Sequence, residues 1–102
     1  MPAALTAAQI RFLRGQAHDL KAILQVGGKG VTDALVTELD GALEHHELVK
    51  LRIASDDRGQ REDIITDLAG RSEAVVVQKI GKVAVLYRPT AEGKRQIVLP
   101  RP

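Results

Sequence analysis

A chain of 102 residues with 44% hydrophobic and 27% charged side chains is long enough for one domain, burying about two-thirds of its unfolded surface. It holds no cysteine, which excludes disulfides and thiolate metal sites and fits a reducing compartment. The formal charge of +2 conceals an asymmetry: residues 1–32 carry four basic and one acidic side chain, residues 33–73 five and eleven, and residues 74–102 six and one.

If the two ends fold together, a basic face opposes an acidic one. That layout suits a polyanion, and uneven solvated charge accounts for it equally well. Met1 to Gln16 has no continuous apolar run, because Gln9, Arg11 and Arg14 interrupt it. Neither a signal peptide nor a membrane span is expected.

Thr6-Ala7-Ala8-Gln9 has the form of a capping box, and Ile10, Leu13, Ala17 and Leu20 follow at helical spacing, which predicts a first helix over about Thr6 to His18. Ala22 to Val26 reads as a first strand, short and apolar enough to be central. Beyond Gly27-Gly28-Lys29-Gly30, Thr32 caps a second helix with Leu35, Leu39, Ala42 and Leu43 as its buried stripe, ending near His45-His46. Leu48 to Ile53 alternates, with Val49, Leu51 and Ile53 on one side and Lys50 and Arg52 on the other.

Ser55-Asp56-Asp57 starts a third helix, carried by Ile64, Ile65 and Leu68 to Gly70, a candidate C′ glycine. Ala74–Ile80 and Val83–Tyr87 are β-branched strands joined by the two-residue turn Gly81-Lys82. Thr90 to Gln96 reads as a polar loop, and Ile97-Val98-Leu99 as a brief return to a sheet edge. The order α-β-α-β-α-β-β implies an α/β fold, a small two-layer sandwich with a four-stranded mixed sheet. A single domain over residues 1–102, with its core at about 5–100, is expected.

Three glycines and a lysine between a strand and a helix leave backbone N–H groups uncovered at the positive end of a helix dipole, which attracts phosphate. The nucleotide readings fail on spacing. A Walker loop needs Ser or Thr after its Lys, where Gly30 stands, and a dinucleotide fingerprint would need its third glycine at Asp33. His45 and His46 are adjacent and diverge by about 100° on a helix, too far apart to chelate one metal readily. No metal, cofactor, small-molecule substrate or catalytic triad is expected.

Phe12 and Tyr87 are the only aromatics, too few for a base-stacking platform. Two readings of the glycine segment stay open on the residues alone. One is a phosphate-backbone clamp of the Gly-x-x-Gly kind, and the other a tight turn that needs glycine and nothing more.

Four separated stretches carry a resemblance. They are Ala17-His18-x-Leu20-Lys21, Val26-Gly27-Gly28-Lys29-Gly30-Val31-Thr32, Ala42-Leu43-Glu44-His45-His46-Glu47-Leu48-Val49-Lys50, and Ile80-Gly81-Lys82-x-x-Val85-Leu86-Tyr87-Arg88-Pro89. Over about Leu5 to Pro100 the chain resembles the bacterial YhbY family, the stand-alone form of the CRM domain of chloroplast RNA splicing and ribosome maturation. The resemblance implies an RNA-binding domain related in fold to the C-terminal domain of bacterial translation initiation factor three. Bacterial members associate with precursors of the large ribosomal subunit, and plant relatives use the domain in intron splicing.

The family's Gly-x-x-Gly loop maps onto Gly27 to Gly30. Here Gly28-Lys29 stands where relatives commonly carry Lys or Ser followed by Asn. Arg11, Arg14 and Lys21 fall at positions often basic in the family, whereas Arg58-Gly59-Gln60 is less typical.

The expectation is a cytoplasmic, monomeric, non-catalytic RNA-binding protein that assists large-subunit assembly on ribosomal RNA. Gly27, Gly28, Lys29 and Gly30 would grip phosphates. Arg11, Arg14, Lys21, Lys50, Arg52, Lys79, Lys82 and Arg88 would supply the electrostatic surface. The alternative is a protein-interaction module that docks a basic ribosomal protein through the acidic middle segment.

Overall fold

A reciprocal cap sets the first helix. Thr6 Oγ1 accepts the Gln9 N–H at 3.2 Å, and Gln9 Oε1 accepts the Thr6 N–H at 3.1 Å. The computed structural model describes residues 5–89 and residue 97. In it α1 runs Ala7–Ala17, β1 Leu24–Val26, α2 Asp33–His46, β2 Leu48–Ile53, α3 Arg58–Ser72, β3 Val75–Ile80 and β4 Val83–Tyr87. This is the expected order. Thr90 to Gln96 and the rest of the expected last strand lie outside the described residues, Ile97 apart.

The sheet order is β1-β2-β4-β3. β1 and β2 run parallel; β4 pairs antiparallel with both β2 and β3, so the sheet is mixed. Alternation along β2 and β4 builds two cores. Val49, Leu51, Ile53, Ala84 and Leu86 pack with Leu39 and Leu43 of α2 and Ile65 and Leu68 of α3. Leu48, Val85 and Tyr87 point the other way and pack with Val77 and with Leu13 and Ala17 of α1. Where two layers are expected, α1 therefore adds a partial third on the opposite face of the sheet.

Two local expectations are corrected. β1 is an edge strand rather than a central one. Among the described residues it pairs only with β2, it is three residues long, and Ala22 and Ile23 before it are exposed. An apolar run reads as buried on both faces, but here only Leu24 and Val26 reach the core.

α3 does not stop at Gly70. It continues to Ser72, and Glu73 takes the left-handed conformation (φ 56°) that glycine would occupy more cheaply. The Glu73 N–H donates to the Ala69 and Gly70 carbonyls, and the Ala74 N–H to Ala69 O at 2.9 Å. These bonds satisfy the Ala69 and Gly70 carbonyls and fix the stop.

A β-bulge at Val77, opposite Val85, interrupts the pairing of β3. One extra residue reverses the facing of everything after it. Lys79 pairs with Ala84 and so joins the α3 side of the sheet; Ile80 pairs with Val83 on the α1 side, where it is 62% exposed. The hairpin turn forms as expected, with Gly81 at φ 55°. Among the described residues no helix is long and apolar enough to cross a membrane.

Candidate nucleic-acid interface

Gly27-Gly28-Lys29-Gly30 leaves the C-terminal end of β1 as a turn closed by the Gly30 N–H on the Gly27 carbonyl at 3.0 Å. Gly30 has φ +69° and requires glycine. Gly27 and Gly28 do not. Neither has a positive φ, and a Cβ built on either would meet nothing within 4 Å. The fold alone therefore gives no reason for these two positions to lack a side chain. The Gly28 and Lys29 N–H groups have no protein acceptor among the described residues. Thr32 then caps α2, its Oγ1 accepting the Leu35 N–H at 3.1 Å.

Because β1 and β2 are parallel, the loops that follow them share one end of the sheet, where open α/β sheets bind ligands. The glycine loop and the segment from Ala54 to Gln60 enclose a crevice of about 260 Å³, lined in part by Ser55, Asp56 and Gln60. Ser55 Oγ donates to Gln60 Oε1 at 2.5 Å and accepts the Asp57 N–H at 3.2 Å. Sequence reasoning read Ser55-Asp56-Asp57 only as a helix start. The parallel pairing that a β-α-β-α order allows is the signal that brings it beside the glycines.

The basic side chains separate into two groups. Arg11 and Arg14 lie three apart on the exposed side of α1, and Lys21 on the connection that follows. Lys50 and Arg52 alternate with Leu51 and so share the α1 side of the sheet. Lys29 stands exposed in the loop at the end of β1. None of these six has an ion pair or side-chain hydrogen bond among the described residues.

The remaining three are engaged elsewhere. The bulge carries Lys79 to Glu62 on α3, Nζ to Oε2 2.6 Å. Lys82, in the hairpin turn, meets Asp56 at 2.6 Å. Arg88 is committed inside the fold. Its Nη1 donates to Asp40 Oδ1 at 2.9 Å and to the Ser72 carbonyl at 2.8 Å, and its Nη2 to the Asp40 carbonyl at 3.1 Å. That fork ties the end of β4 to α2 and to the last turn of α3, a structural task rather than a surface one.

The hydrogen bond and charge of Lys82 hold the Asp56 carboxyl below its ordinary range, and those of Lys79 do the same for Glu62. Both carboxylates stay ionised through the neutral range and keep these two lysines neutralised.

A small α/β module with an open glycine turn at the end of an edge strand, beside a face of cations unpaired among the described residues, has the shape and charge to receive an anionic chain. The CRS1 / YhbY (CRM) domain model matches residues 5–88, and the chain belongs to that family. It is 42% identical over 93 residues to an RNA-binding protein of Haemophilus influenzae, covering 91% of this chain and 94% of that protein. With the Bacillus subtilis protein named Probable RNA-binding protein YqeI it shares 41% identity over 96 residues, covering 94% of this chain and 99% of the relative. The solution structure of the hypothetical protein SAV1595 from Staphylococcus aureus superposes with a TM-score of 0.81 at 32% identity, covering 95% of this chain and all of that one.

Proposed function

We propose that the protein binds RNA by its backbone, with Gly27, Gly28, Lys29 and Gly30 as the phosphate clamp and Arg11, Arg14, Lys21, Lys50 and Arg52 as the electrostatic surface. The observation that carries this reading is the bareness of Gly27 and Gly28, which no strain or crowding in the fold demands. Without side chains there, a phosphodiester can reach the Gly28 and Lys29 N–H groups, and Lys29 adds a charge-assisted contact. The names of the Haemophilus and Bacillus relatives support the same reading.

The family resemblance extends the proposal to ribosomal RNA in precursors of the large subunit, with the protein a monomeric, non-catalytic assembly factor of the cytoplasm. The test is a salt series of RNA-binding isotherms by fluorescence anisotropy. The slope of log affinity against log salt is steep for the wild type and falls by about 0.7–0.9 in Lys29→Ala, the loss of one phosphate contact. Binding that ignores both salt and Lys29→Ala overturns the clamp. Sedimentation of the tagged protein with large-subunit precursors from cell extract tests the ribosomal part.

A second reading rests on α2, which carries Asp33, Glu38, Asp40 and Glu44 and no lysine or arginine. That helix could dock a basic protein. Partners that survive ribonuclease treatment in a pull-down would favour it over RNA.

A further inference from the structure

On the face of the sheet that α1 covers only in part, beside the start of β1, lies a cavity of about 240 Å³ outside the glycine crevice. Its apolar lining includes Leu20, Ile23, Leu48 and Ile97, and the first two are 38% and 52% exposed. These are two of the three large hydrophobic side chains left exposed among the described residues, gathered in one place. Lys21, Lys50 and His46 also line the cavity, and no carboxylate does among its described lining residues.

The walls are fixed by the fold. The Ile23 N–H donates to the Lys50 carbonyl at 3.0 Å, extending the β1–β2 pairing to the cavity. Ile97 is held by its N–H on the carboxylate of the buried Glu47, 2.6 Å away.

We infer that this cavity receives one unstacked base of the bound RNA, its phosphates lying against Lys21 and Lys50. The inference rests on the RNA reading above and deepens it. An apolar protein side chain would be served by an apolar rim or one of mixed charge. Here every formal charge among the described lining residues is positive, which favours a ligand that is apolar at its centre and anionic along its backbone. The volume lies a little below that of drug-sized sites and suits a single heterocycle.

Ile23 and Gly27 sit at opposite ends of β1, about 13 Å apart at the rise of a strand, within reach of nearby nucleotides on one RNA strand. The scarcity of aromatics argues against an open stacking platform. It does not bear on an aliphatic slot, since extruded bases are also held between apolar side chains.

The test compares a fluorescein-labelled single-stranded RNA with an abasic phosphodiester of the same length, for wild type, Ile23→Ser, Leu20→Ser and Lys29→Ala. Both cavity residues are exposed, so the serine variants are expected to fold; circular dichroism melts confirm it. A base slot gives wild type a preference of about tenfold for the base-bearing strand. Ile23→Ser and Leu20→Ser remove most of that preference without changing the salt slope or the abasic affinity, whereas Lys29→Ala weakens both strands alike.

Serine variants that keep the wild-type preference, or a wild type that shows none, overturn the slot and leave the clamp standing if Lys29→Ala still weakens binding. If Lys29→Ala is also silent, the RNA reading itself fails.

Discussion

Gly28 and Gly30 stand two residues apart in one turn, yet replacing each should move stability in opposite directions. Gly30 is left-handed, so Gly30→Ala is expected to cost about 1 kcal/mol. Gly28 has neither a positive φ nor a neighbour within 4 Å of a Cβ, and alanine there restricts only the unfolded chain. Gly28→Ala is therefore expected to stabilise the protein by about 0.5 kcal/mol while weakening RNA binding several-fold. Thermal melts and binding isotherms on the two variants measure this. A Gly28→Ala protein that binds RNA as tightly as wild type would return the loop to a plain turn. The sequence alone left that choice open because φ and the space around a missing Cβ are properties of the folded backbone, not of the letters Gly-Gly-Lys-Gly.

At the scale of elements, the end of α3 is a stop placed three residues beyond the glycine suited to it. Gly70 lies inside the helix with open space at its Cβ position, and Glu73 carries the left-handed φ. Gly70→Ala and Glu73→Gly should each stabilise by about 1 kcal/mol. Each should raise the melting temperature by about 4–8 °C, as a thermal scan would show. The pattern of helix caps and strand alternation was otherwise legible, because Thr6, Thr32 and Asp57 act locally within three residues of where they stand. Pairing was not. The edge position of β1 depends on which strands meet, and the facing of Lys79 depends on a bulge at Val77 that leaves no mark in a run of three valines. The engagement of Arg88 is hidden for the same reason: its partners Asp40 and Ser72 are 48 and 16 residues away.

For the molecule as a whole, the sheet separates the charges that the sequence shows in blocks. Arg11, Arg14, Lys50 and Arg52 lie on the α1 side, and the acids of α2 and α3 on the other. Asp56 breaks this separation. It lines the crevice beside the glycine loop, where a phosphate would have to approach a carboxylate. Its partner Lys82 holds its carboxyl below the usual range, so it stays negative wherever RNA would bind. The sign of the linkage follows. A carboxylate depressed in the folded state stabilises it above about pH 4, and that contribution is lost as pH falls through the lower folded value. Being exposed, the pair contributes little to stability and mainly sets the local charge. Asp56→Asn should therefore leave the fold nearly unchanged, release Lys82 and remove a repulsive charge from the crevice. RNA affinity is expected to rise about two- to fivefold at low salt, with a steeper salt slope. Glu62→Gln, which releases Lys79 on the α3 side instead, should change both far less. Equal gains from the two variants would mean that total charge, rather than the face on which it sits, governs binding.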